Sequence, residues 1–167
     1  MGDGNIDWHN EGYPRFRVGM ITKIFLEWVA KELYNIINET GLTLQQKAHD
    51  NYEDYYMLRT ISHPYFEELQ AWYINGEKKL PLDTPEPLEL KMWYIADGGR
   101  MGERPFIRAD SQSENLKKLA DSINKIGIDM TVVDQKRQIN VLNKDRERFF
   151  EYIGAPVPGF EYKWPDE

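Results

Sequence analysis

Two aspartates in this chain share a local setting: Gly2-Asp3-Gly4 at its start and Ala96-Asp97-Gly98 near its middle. The second closes the stretch PLELKMWYIADGG, residues 87–99, in which an apolar helical pattern runs into Asp-Gly. That arrangement puts a carboxylate at a helix C-terminus, where the chain must turn. Two such carboxylates brought together are the minimum equipment for holding a divalent metal against a phosphodiester. Asp-Gly is also a common turn dipeptide, so what surrounds each copy decides its meaning.

Length and composition narrow the field. The 167 residues can form one domain or two small packed halves, and 41% hydrophobic residues with 13% aromatics supply an ample core. No apolar run is long enough to span a membrane, and no charged-then-apolar leader opens the sequence. The absence of cysteine excludes disulfides and thiolate-bound metal. It fits an intracellular setting: cytoplasm, nucleoid or organelle, or a phage or other mobile element. His9, His49 and His63 are too scattered for a zinc site. A net charge of −7 weighs against nucleic-acid binding, which draws on Lys and Arg. The excess acid falls mainly before Asp83, with 13 acidic and 8 basic residues up to that point against 15 and 13 after it. A basic stripe on one face remains compatible with these numbers.

The elements repeat. In the first half, residues 4–9 and 14–20 read as a hairpin, with Arg15 and Arg17 on one strand face and Phe16 and Val18 on the other. An amphipathic helix follows over 22–37, then a second hairpin over 42–49 and 55–62 that carries Arg59. Ser62-His63-Pro64 then predicts a helix through about Ile74, ended by Asn75-Gly76. Residues 81–87 are Pro-rich and read as a linker. Beyond the helix ending at Asp97 come a Gly-containing turn, a strand over 104–110 with Arg104 and Arg108, and a helix over 113–126. A hairpin over 128–134 and 137–143 and a helix over 145–154 complete the order. PRFRV is echoed by PFIRA, and YFEELQAWYING by RFFEYIG, each followed by a lysine near a proline, Lys78 and Lys163. A two-fold pseudo-repeat of about ninety residues accounts for these echoes.

This ordered set resembles the LAGLIDADG homing endonucleases, in their two-motif, single-chain branch. LKMWYIADG (90–98) lies over the nine motif positions, and the likeness continues through MGDGNI, 59–81, 111–128 and 147–165. The resemblance implies an α+β fold of two pseudo-symmetric αββαββα halves, 1–80 and 88–167, joined by the linker 81–87. Their sheets would form a saddle-shaped surface over double-stranded DNA. It further implies Mg²⁺-dependent (or Mn²⁺-dependent) cleavage of both strands at a specific site, as in intron or intein homing. Asp3 and Asp97 map onto the metal-binding aspartates, Lys78 (with Lys79 as the register alternative) and Lys163 onto the basic residues near the scissile phosphates. Arg15, Arg17, Arg59, Arg104 and Arg108 are the candidate DNA contacts, since arginine suits both guanine edges and phosphates. Asp7 and Asp110 beside these strands would either repel phosphate or read cytosine amino groups.

The pattern is also broken in places. Only Met1-Gly2-Asp3-Gly4 represents the first motif helix, and Lys91 stands where the motif has a small alanine. Truncation, an upstream start or loss of the helix are the alternatives for the first departure. A non-catalytic descendant is therefore the competing expectation: an RNA-splicing maturase that binds intron RNA, a DNA-binding protein, or a plain α+β interaction module. A monomer with an internal pseudo-dyad is expected, and the exposed face of 87–97 offers a route to dimerisation.

Overall fold

The computed structural model describes residues 4–7, 12–48, 55–69, 73–74, 77–78, 83–108 and 116–166. In chain order its elements are β1 (Asn5–Asp7), β2 (Arg15–Met20), α1 (Lys23–Leu33), β3 (Leu42–Lys47), β4 (Tyr55–Thr60), β5 (Tyr73–Ile74) and β6 (Glu77–Lys78). They continue with α2 (Pro87–Asp97), β7 (Gly98–Met101), β8 (Arg104–Arg108), α3 (Leu116–Asn124), β9 (Met130–Val133), β10 (Gln138–Val141) and α4 (Arg146–Ile153). The strands make two four-stranded antiparallel sheets with the same internal order, β1-β2-β4-β3 and β7-β8-β10-β9, and β5 and β6 pair as a small hairpin. Shared strand order is the structural counterpart of the sequence echoes: each half builds its sheet from two hairpins flanking a helix. Among the described residues, one compact unit holds 4–78 and 157–159 and the other 83–156 and 160–166.

In the first unit the period-two alternation sends Ile6, Val18 and Leu58 into the core. Helix α1 lays Phe25, Leu26, Val29 and Ala30 against the same sheet face. Ile6, Ile37 and Phe66 form a second buried cluster that Phe16, Leu69 and Tyr73 flank. The helix expected over 64–74 is not what forms. Among the described residues, 3-10 backbone at Pro64–Phe66, with His63 Nδ1 accepting from the Tyr65 amide at 3.2 Å, and again at 68–69 stands ahead of extended backbone at Tyr73–Ile74. Tertiary anchoring is the reason: the Tyr73 hydroxyl accepts from the Ile6 amide at 3.1 Å and donates to Asn5 Oδ1 at 2.9 Å. Those partners lie on β1, far away in sequence, and an α-helical tyrosine at this position would not be held on them.

The second unit has the full order αββαββα. Pro87 opens α2, and the Glu89 carboxylate accepts from the Glu86 amide at 2.8 Å, so two devices start the helix. Leu90, Trp93, Tyr94 and Ile95 are its buried side chains. The Gly-containing turn expected between Asp97 and the strand at 104 forms at Gly102, whose φ is 63°, and ahead of it lies a strand the sequence did not announce, the edge strand β7, paired along β8 from Gly98↔Ile107 to Met101↔Arg104. Glycine is used here for close approach. A Cβ on Gly98 would sit 2.3 Å from the Tyr94 ring and 2.4 Å from the Tyr94 carbonyl oxygen, and one on Gly99 2.9 Å from the Phe106 ring. Gly98→Ala is therefore expected to destabilise the protein by roughly 1–3 kcal/mol or more, because the backbone oxygen cannot move aside as a flexible side chain can. Urea unfolding of this variant checks it; a midpoint equal to that of the wild type would contradict the packing described. Among the described residues no helix is long and apolar enough to cross a membrane.

Candidate functional site

Each sheet has a core face and an outward face, and the arginines sort by register. Across the first sheet, Asn5 pairs Arg17, Arg17 pairs Arg59 and Arg59 pairs Thr43, so the four side chains form one row opposite the core face. Asp7 pairs Arg15 in the adjacent row. Like charges directly across a sheet repel, so setting Arg17 beside Arg59 is unfavourable unless something negative compensates. Asp7 compensates in part, meeting Arg17 Nε at 3.1 Å and Arg15 Nη2 at 3.4 Å. Among the described residues, Arg15 Nε and Arg59 Nε are buried with no hydrogen-bond partner. A buried donor left unpaired costs about 1–3 kcal/mol, a cost that an acceptor arriving from outside would relieve.

The outward face of the second sheet carries Arg104, Phe106 and Arg108, alternating with the buried Pro105 and Ile107. The Arg108 guanidinium stands 5.9 Å over the Phe106 ring, whereas Arg104 Nε donates to the Val141 carbonyl at 2.9 Å. Next to them on β10, Asn140 pairs Phe106 and Gln138 pairs Arg108. Gln138 Nε2 donates to Asn140 Oδ1 at 2.7 Å, and both amides are buried on this side of the sheet beside the guanidinium groups.

Asp97 is the last residue of α2 and is exposed to solvent. The same helix end is held by Lys163, only 9% exposed. Its ammonium donates to the carbonyls of Ile95 at 2.5 Å, Gly98 at 2.7 Å and Tyr94 at 3.4 Å. The last carbonyls of a helix carry partial negative charge and lack intrahelical partners, and a cation satisfies both conditions. The interaction is reciprocal, because the Tyr94 hydroxyl donates to the Lys163 carbonyl at 2.7 Å. Burial pushes the Tyr94 phenol well above its ordinary pKa, which keeps this donor protonated. Tyr94 also meets Phe149, Phe150 and Trp164 edge to face, with ring centroids 5.2, 5.9 and 5.5 Å away. The backbone that presents Asp97 is thus fixed by one ammonium and an aromatic cluster.

Of the nine candidate site residues, seven have described side chains. Arg15, Arg17 and Arg59 come together on one sheet face, Arg104 and Arg108 on another, and Asp97 and Lys163 at one helix end. Lys78 lies in β6 with its backbone opposite Tyr73, and Asp3 falls outside the described residues, as do Lys79 and Asp110. The sequence left Asp7 with two alternative roles, repelling phosphate or reading cytosine, and gave Tyr94 none. The strand register places Asp7 beside Arg15; no local signal announces Tyr94. Among the described residues no group of three or more His, Asp or Glu side chains is close enough to hold a metal ion.

Comparisons with known proteins agree with this architecture. Residues 1–149 match the family model described as the LAGLIDADG DNA endonuclease family. The homing endonuclease I-WcaI bound to its DNA recognition sequence superposes with a TM-score of 0.84 at 18% identity, over 99% of this chain and 82% of that one. I-DmoI in complex with DNA and Mn gives 0.59 at 16% identity, over 92% of this chain and 90% of that one. At such identities the likeness is one of fold. The cytochrome b mRNA maturase bI2 of Debaryomyces hansenii is 44% identical over 48 residues, which span 26% of this chain and 18% of the maturase. With the family model covering most of its length, the chain belongs to the LAGLIDADG DNA endonuclease family.

Proposed function

We propose that this chain binds double-stranded DNA through the outward faces of its sheets and cleaves it at a specific site, as a homing endonuclease of the intron or intein type. The carrying observation is the sorting of charge. In a chain of net charge −7, Arg15, Arg17 and Arg59 share one face of the first sheet, and Arg104 and Arg108 share the outward face of the second. Intracellular DNA is the implied substrate, and 1–80 and 88–167 are the two halves that would act on it.

Mg²⁺, with Mn²⁺ as its substitute, is the proposed cofactor. Mg²⁺ is commonly held by one or two carboxylates together with substrate phosphates, and the exposed carboxylate of Asp97 is a hard oxygen donor of that kind. Asp97 fits that role, and Asp3, which lies outside the described residues, is the second proposed ligand. When bound, the ion orients water and stabilises charge on the leaving oxygen. Asp97 presents its carboxylate from a helix end whose geometry Lys163 maintains, and the ammonium adds positive field where a phosphate would approach. Lys78 is the proposed counterpart of Lys163 in the first half.

Replacing Arg15 and Arg17 together with alanine tests the interface. Affinity for duplex DNA should fall steeply with salt, by a log–log slope of roughly −0.9 per neutralised phosphate. The double variant should flatten that slope by about one or two units if the two arginines touch phosphate. If they read bases, discrimination should drop by roughly 1–3 kcal/mol per contact with the slope nearly unchanged. An unaltered slope together with unaltered discrimination would remove the first sheet from the interface.

A second reading rests on the maturase similarity: the same surfaces would engage intron RNA without cleaving DNA. Tight binding of an intron RNA combined with no cleavage of any duplex would favour it.

A further inference from the structure

Asp7 is an acidic residue at the end of the edge strand β1 on the proposed DNA-binding face, where a carboxylate should be a liability. Its side chain is 17% exposed and touches two guanidinium groups, Arg17 Nε at 3.1 Å and Arg15 Nη2 at 3.4 Å. One carboxylate pairs with both guanidinium groups, by an ion pair to Arg17 and a long hydrogen bond to Arg15, so it restrains the two side chains as well as lowering their charge. With its Nε paired to Asp7, Arg17 keeps its two Nη groups as the fork that can meet a ligand. An end-on fork of that kind matches the O6 and N7 acceptors of guanine. Three arginines against one aspartate still leave the patch cationic, and the buried Nε groups of Arg15 and Arg59 have no acceptor among the described residues. Attraction for DNA survives, while the freedom of Arg15 and Arg17 to follow any phosphate is curtailed.

We infer that Asp7 is a specificity-determining positioning residue: it tethers Arg15 and Arg17 so that they read base edges, guanine foremost, and it suppresses sequence-independent binding. The inference rests on the proposal that this face binds duplex DNA. It resolves the two roles open to Asp7 in the sequence, since a carboxylate engaged by two guanidinium groups neither repels phosphate alone nor reads cytosine.

The test begins by selecting the preferred duplex from a randomised library with the wild-type protein in EDTA. Affinities for the selected and a scrambled duplex are then measured across a salt series for wild type, Asp7→Asn and Asp7→Ser. Asn is nearly isosteric and Ser smaller, so folding, followed by circular dichroism, is retained by at least one of them. Both variants should bind scrambled DNA several-fold more tightly, with a salt slope steeper by about 0.9, the share of one additional phosphate. Preference for the selected duplex should shrink by about tenfold, a typical share of an arginine–guanine contact. Unchanged or increased discrimination in the folded variants, or an equal loss of affinity for both duplexes, would overturn the role of Asp7 while leaving DNA binding intact. Wild-type protein with no affinity for any duplex at low salt would overturn both readings at once.

Discussion

Asp97→Asn should abolish metal-dependent cleavage while leaving the fold and DNA binding nearly intact. The substitution removes one charge and almost no volume from a side chain that is exposed at the end of α2. A carboxylate there lies beside the partly negative last carbonyls of the helix, an unfavourable placement worth about 0.3–1 kcal/mol that the neutral amide relieves. Catalysis is another matter. A metal-holding carboxylate contributes through several kcal/mol of transition-state charge stabilisation, which corresponds to a rate loss of roughly 10²–10³-fold or more. Cleavage of the selected duplex and a parallel binding titration read the two effects separately. Undiminished Mg²⁺-dependent nicking by the variant would rule Asp97 out as a ligand.

Lys163→Met is expected to lower stability substantially. Methionine keeps an unbranched stem of similar length, so the change isolates the ammonium. Three carbonyls at the end of α2 lose a charged donor, and a hydrogen bond to a charged group contributes about 1.5–3 kcal/mol when its partner is buried. A cation at a helix C-terminus adds about 0.3–1 kcal/mol. Because the three bonds share one ammonium they do not add independently, and a net loss of about 2–3 kcal/mol is expected. Urea unfolding should show a lower midpoint at constant slope. Cleavage should fall as well, since Asp97 rides on the loosened backbone and small misplacements at a reacting centre are costly. A variant as stable as the wild type would show that the helix end does not depend on this lysine.

The sequence made the second half legible for a definite reason. Leu116, Leu119, Ala120 and Ile123, and likewise Phe149, Phe150 and Ile153, carry a clean helical period that packing reinforces. Strand alternation placed Arg15 and Arg17 opposite Phe16 and Val18, and the sheet keeps them so. Two elements were misread where distant partners decide the conformation. Residues 64–74 have the apolar spacing of a helix, yet the contacts of Tyr73 with Asn5 and Ile6 require extended chain. The strand that holds Gly98 and Gly99 went unread because glycine is disfavoured in strands, but here the Tyr94 and Phe106 side chains leave room for nothing larger. The candidate site was legible in its residue types and faces. The burial of Lys163 was not, because nothing local to Lys163 reveals that its ammonium would lie under a helix end that begins its turn at Asp97.

The central claim, that this chain cleaves DNA at a specific site with a divalent metal, is tested most directly by one cleavage assay. Wild-type protein is incubated with a randomised duplex library in Mg²⁺, in Mn²⁺ and in EDTA, and the cut ends are sequenced. The account predicts ends that converge on one recognition sequence in either metal and disappear in EDTA. Cut ends absent in both metals, or present equally in EDTA, would contradict it.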